Sequence, residues 1–266
     1  MTNDFVIVTS LHNLNEIKRD DNRNWDTYLE WFSETLKIKC PFIIFADSDL
    51  SSFIMSHRDE YSTFIISEKL EEIPLYHLKD KIQFILDSEE YKTKMSDTNR
   101  VECKDSMYSV IQYSKFKWLK RASEINPFNS KYFFWLDAGA SRFIETTDVK
   151  YPSKESLEQL EGIDNTFLIQ YNHEYYSDLV SAETLTKDYL WDNRSFICGS
   201  MFGGNSKSVE LIDKEVDEIM IYMLDNKCLN NEQIALGYLC KEREDLFTRF
   251  YRTNPKNHLS LFEEMT

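Results

Sequence analysis

Glycine is scarce in this chain, with six among 266 residues, about a third of what an average composition near 7% supplies. Four of the six fall in two short stretches, Gly139 in one and Gly199, Gly203 and Gly204 in the other. Glycine kept for so few places predicts positive φ or close backbone approach there. The dinucleotide fingerprint G-x-G-x-x-G, the Walker A loop, H-E-x-x-H and G-x-S-x-G are all missing, which leaves no motif for a Rossmann dinucleotide site, a P-loop, a zinc protease or a serine hydrolase. The five cysteines form no C-x-x-C pair and their number is odd. That pattern argues against a zinc site and predicts buried, reduced thiols in an intracellular protein. No window approaches the roughly 20 apolar residues of a membrane span. The N-terminal "MTNDFVIVTS" lacks the basic start and long apolar run of a signal peptide, so the expectation is a cytoplasmic protein without a transmembrane segment. Positive charge is also in short supply. The net charge of −15 argues against nucleic acid as a partner and leaves room for a small anion held by a local arginine or lysine.

Hydrophobic residues make up 42% of the chain and aromatics 14%, ample for a core. "FVIVTSL" (5–11), "CPFIIFADSDL" (40–50) and "STFIISEKL" (62–70) read as buried strands, and "WDTYLEWFSETLKI" (25–38) as an amphipathic helix between the first two. Strand, helix, strand predicts a parallel β/α unit and an α/β fold. Helical patches run through residues 79–95. A strong helix covers 105–125 and stops at "NPF", because a residue before proline is disfavoured in helix. "KYFFWLDAGASRF" and "NTFLIQYNHEYY" follow as strands, and "RSFICGSMFGGN" as a strand entering a glycine turn. Helices are expected over 207–228 and from Asn230 onward.

Four constellations can carry chemistry. In "YFFWLDAGASRF" the apolar run stops at Asp137, and the carboxyl ends of parallel strands form the ligand crevice of open α/β sheets. Ala138, Gly139 and Ala140 leave room against the backbone, and Arg142 supplies a fixed cation suited to phosphate. The alternative is that Asp137 caps a turn and pairs with Arg142. Asp47 and Asp49 form a second strand-end pair, which reads either as oxygen ligands for a cation or ribose or as ordinary turn chemistry. "CGSMFGGN" permits backbone approach to a ligand, or makes a hairpin. Asn230 or Asn231 can cap a helix whose first turn holds Glu232 and Gln233, which places a candidate general base at a helix start. Of the scattered histidines, His173 and His258 are the two to watch.

"NPFNSKYFFWLDAGASRF", with "YLEWFSETLKIKCPFIIFADSD" and "YSKFKWLK" before it and "FICGSMFGGN" and "NNEQIALGYL" after it, resembles the HtrL/YibB family of glycosyltransferase-like proteins. The resemblance implies a GT-A-like, Rossmann-like fold. Its mixed, mostly parallel sheet would be flanked by helices in one domain over residues 1–266, with a nucleotide-binding half to about residue 145 and an acceptor half after it. It implies transfer of a sugar from a nucleotide-sugar donor, a UDP-sugar favoured, to a glycan or other hydroxyl acceptor. A non-catalytic nucleotide- or glycan-binding protein on the same fold is the alternative. By the same resemblance Thr9, Ser10 and Asp47 would line the base and ribose. Asp137, Ala138, Gly139, Lys115 and Arg142 would hold the diphosphate. Gly199, Gly203, Gly204 and His173 would flank the sugar and acceptor, and Glu232 and Gln233 would be catalytic. Mn²⁺ or Mg²⁺ would sit on Asp137. GT-A glycosyltransferases, which the family is similar to, carry a D-x-D motif whose second aspartate position is Gly139 here, so a second ligand would come from elsewhere, with His258 the candidate.

Overall fold

The computed structural model describes residues 4–14, 24–143, 154–163, 165–172 and 184–250. Seven strands, β1 (Phe5–Leu11), β2 (Phe42–Ala46), β3 (Thr63–Ser67), β4 (Tyr132–Leu136), β5 (Phe167–Gln170), β6 (Met201–Asn205) and β7 (Phe247–Phe250), form one sheet in the order β3-β2-β1-β4-β6-β5-β7. Every pairing is parallel except the two made by β6, which runs against both β4 and β5. The described helices are α1 (Trp25–Thr35), α2 (Ser51–His57), α3 (Lys79–Asp87), α4 (Glu89–Lys94), α5 (Ser106–Ile125), α6 (Lys154–Glu161), α7 (Ser206–Asp225) and α8 (Glu232–Glu242). None of them is long and apolar enough to cross a membrane. The predicted α/β architecture, a mostly parallel mixed sheet flanked by helices, is what forms.

Both faces of the central strands are buried, so their side chains alternate between two cores. Val6, Val8, Phe133 and Trp135 face one core, with α5 and α7 packed over it. Phe5, Ile7, Phe134 and Leu136 face the other, with Phe32 of α1, Ile54 of α2 and Leu160 of α6. Helix α5 ends as the sequence suggests, though the stop comes from Asn126 as well as from the proline. Asn126 takes a left-handed conformation at φ 40°, and its side-chain oxygen accepts from Ser130 N at 2.8 Å. The turn from α1 into β2 is closed by Arg58, which donates to the carbonyls of Leu36 (2.6 Å), Ile38 (2.9 Å) and Cys40 (2.6 Å). All five cysteines are free and buried, as expected.

One reading is corrected here. The glycine pair of "MFGGN" makes no turn. Gly203 and Gly204 lie inside β6, paired with Phe134 and Phe133 of β4. A Cβ at Gly203 would overlap the Phe133 carbonyl oxygen and stand 2.7 Å from the Phe134 Cα. A Cβ at Gly204 would overlap the Ser208 hydroxyl. These glycines let strand, strand and helix pack closely, and neither lines the cavity described below. Gly203→Ala is therefore expected to destabilise the fold by about 1–3 kcal/mol or more, since backbone must move to relieve the overlap. Gly162→Ala, whose Cβ would meet only the Gln159 carbonyl at 3.4 Å, should be near neutral. Urea denaturation of both variants checks the contrast.

Candidate active site

The carboxyl ends of β1 and β4 open onto a cavity of about 340 Å³. Ser10, Leu11 and His12 reach it from the end of β1, and Asp137, Ala138, Gly139 and Arg142 from the end of β4 and the turn that follows. Lys115 and Gln112 come from α5, Glu232 and Gln233 from the first turn of α8, and Trp25 and Tyr28 from α1. The chain reversal at β6 lies just behind the wall. Because β6 is antiparallel, the residues before it, Gly199 and Ser200, arrive at the crevice end of the sheet, where Asp137 N donates to Ser200 O at 2.9 Å.

Lys115 stands at the centre. Its ammonium donates to Glu232 Oε1 (2.7 Å) and the Gly199 carbonyl (3.1 Å), and lies 2.9 Å from Asp137 Oδ1. An ammonium has three protons, so all three are engaged. Burial opposes the charge on Lys115, but the Asp137 and Glu232 carboxylates outweigh it and hold its pKa above the usual lysine range. Burial pushes Glu232 up, and Lys115 only partly offsets this. Its second oxygen, Oε2, has no hydrogen-bond partner. Asn231 caps α8 through its side chain, which accepts from Ile234 N at 3.0 Å, and so fixes Glu232 in the first turn. Gly199 is needed for this packing, because a Cβ there would overlap Glu232 Oε1 and lie 2.8 Å from Gln233 Cγ.

Asp137 is held from the other side by Trp135, two residues back on the same face of β4, whose indole N–H donates to Oδ1 at 2.7 Å. That indole stacks on Trp118 at 5.8 Å, and Trp118 stacks on His12 at 5.5 Å, so three rings brace the crevice. Arg142 folds back on its own turn. Its Nε donates to Gly139 O at 2.9 Å, and its guanidinium lies 4.5 Å above the Trp31 ring.

The structure brings together Ser10, Lys115, Asp137, Ala138, Gly139, Arg142, Glu232 and Gln233. Gly199 stands just behind them. Thr9 is fully buried inside β1, paired with Ile44. Asp47 is absent from the cavity wall and shows the turn chemistry instead, with its carboxylate accepting from Asp49 N and Ser48 Oγ. Gly203 and Gly204 lie in the sheet, as described above. His173 and His258 fall outside the described residues. Sequence reasoning missed His12, Gln112 and Trp135. The signal was there for Trp135, since strand alternation puts it on the Asp137 face.

Among the described residues, the donor set around Asp137 does not by itself fit the implied Mn²⁺ or Mg²⁺. Hard cations want several oxygen ligands. Among the described residues no group of three or more His, Cys, Asp or Glu can hold a metal ion. The one strand-end carboxylate is already paired with Lys115. A cation on Asp137 would face that fixed ammonium, at a cost of about 4 kcal/mol per pair of unit charges 4 Å apart at an effective dielectric near 20.

Removing Lys115 leaves two carboxylates together, one of them 1% exposed. Lys115→Met is expected to cost about 3–5 kcal/mol, and adding Glu232→Gln should recover part of that in urea denaturation. His12 supplies a pH signature. Burial pushes it down from 6.5 to about 4, against the opposing pull of the Glu68 carbonyl and Asp47. The unfolded chain therefore binds more protons between those values, so His12 contributes stability that is fully present above pH 6.5 and is lost as pH falls toward 4. His12→Phe, which keeps a ring against Trp118, should flatten that part of the stability–pH curve.

No curated protein matches this chain. Solved structures do. Mouse xyloside xylosyltransferase 1 in its apo form is 11% identical with a TM-score of 0.43, over 92% of this chain and 84% of that one. The galactosyltransferase LgtC, in complex with donor and acceptor sugar analogues, is 11% identical with a TM-score of 0.46, over 92% of this chain and 72% of that one. Likeness at this level says nothing about substrate. The family model described as "Bacterial protein of unknown function (HtrL_YibB)" matches residues 3–262, and the chain belongs to the HtrL/YibB family.

Proposed function

We propose that this protein is a glycosyltransferase that moves a sugar from a nucleoside-diphosphate sugar, a UDP-sugar favoured, to a hydroxyl of a glycan or similar acceptor. The observation that carries the reading is the buried Glu232–Lys115–Asp137 chain at the carboxyl end of a mostly parallel sheet, on the wall of one cavity with Arg142. In the transfer step the acceptor oxygen bonds to the anomeric carbon. The bond from that carbon to the diphosphate breaks with its electron pair, and the acceptor proton leaves to a base. Glu232 is that base. Its raised pKa moves it toward the range where proton acceptance is efficient. Gln233, beside it on the wall, orients the sugar, and Trp25 and Tyr28 of α1 line the same cavity. Fixed positive charge near the leaving group stabilises the charge that develops there.

Calorimetry of the full chain with UDP, GDP and CMP tests the donor class, and binding to none of the three sinks the reading. Slow hydrolysis of the matching nucleotide sugar is expected, with Glu232→Gln lowering it at least about 100-fold, the scale of losing a positioned general base. Binding without hydrolysis would mark a non-catalytic module. Release of pyrophosphate or monophosphate would mark nucleotidyl or phosphoryl transfer.

A further inference from the structure

The strand-end turn of this chain sits between two cations, Lys115 and Arg142. Lys115 holds Asp137 Oδ1 at 2.9 Å and is itself fixed by Glu232 and Gly199, so Asp137 faces the cavity already compensated. Two residues on, where a D-x-D motif would place its second carboxylate, stands Gly139, and a guanidinium lies beside it. A Cβ at Gly139 would lie 3.4 Å from Arg142 Nε and 3.6 Å from its Nη2. The arginine is set there by the Gly139 carbonyl and the Trp31 ring, on the wall that Asp137 and Lys115 also line. A planar guanidinium offers paired N–H donors that match phosphate oxygens.

We propose that Arg142, and not a divalent cation, neutralises the diphosphate of the donor, with Lys115 acting as the positioning residue that keeps Asp137 from recruiting a metal. The proposal rests on the transferase reading. In chemical terms the negative charge that develops on the leaving diphosphate is met by Arg142 N–H donors, and no metal bridges its oxygens. Glycine at 139 is part of the device, because a carboxylate there would sit against Arg142 and tie up the same fork. Position 139 has no left-handed backbone and its Cβ contacts are ordinary, so Gly139→Asp is sterically admissible.

Isothermal calorimetry of the full chain with UDP, once with Mn²⁺ and once after metal stripping in EDTA, tests this without any variant. Affinities within about threefold of each other are expected. UDP binding that vanishes in EDTA and returns with Mn²⁺ overturns the proposal and leaves the transferase reading standing. If UDP, GDP and CMP bind in neither condition, the transferase reading itself fails. Arg142→Ala should weaken UDP at least about tenfold with or without metal, the scale of losing charge-assisted hydrogen bonds, and unchanged affinity would overturn the role given to it. Arg142→Lys, which keeps the charge and loses the fork, should fall between wild type and alanine. Gly139→Asp should weaken UDP in EDTA and recover with Mn²⁺; affinity equal to wild type in EDTA would count against the reason given for the glycine.

Discussion

The site depends on one buried ammonium. Lys115 joins the end of β4, the start of α8 and the loop before β6 at one point. Each partner alone would be costly. Glu232 is a carboxylate out of water, the Gly199 carbonyl is a backbone acceptor behind it, and Asp137 is a strand-end acid in a crevice. A buried charge is tolerable when it is paired and hydrogen-bonded, and here one cation satisfies all three. The residual imbalance, an unpartnered Glu232 Oε2 beside a cavity, is the kind of unfinished polar group that marks function more often than architecture.

Around that centre the scaffold is rigid by aromatic packing. Trp135 holds Asp137 by its N–H and is pinned by Trp118, and Trp118 also donates to Glu68 Oε2 at 2.6 Å. Glu68 in turn carries Arg121 at 2.7 Å. A line of ring contacts and charge-assisted bonds thus runs from the end of β3 to the end of β4. Preorganisation of this sort would keep Asp137 and its neighbours from rearranging in the proposed transfer, where fixed dipoles supply most electrostatic stabilisation.

Much of the scaffold was legible because its signals are local. The apolar runs of β1, β2 and β4, the helical spacing of α1 and α5 and the capping asparagine before Glu232 each declare themselves within about ten residues. The site was legible at Asp137, Arg142 and Glu232, whose chemistry sits at element ends. It was illegible where long-range packing decides. "FGG" reads as a turn by composition, yet β6 needs those glycines because β4 and α7 press on them. Asp47 looks like Asp137 in sequence, but no lysine from α5 reaches it and its own turn satisfies it. His12 gives no sign of itself, because the ring it stacks on lies 106 residues away in sequence, at Trp118.

The reversed direction of β6 has an outcome for how this protein can change over time. One end of that five-residue strand delivers Gly199 and Ser200 to the crevice, while the other end is Asn205, whose side chain starts α7 by accepting from Ser208 N. Insertion or loss of a single residue within it would shift both ends and swap every side chain to the opposite face. A change of length between Gly199 and Ser206 would therefore disturb the crevice and the start of α7 at once.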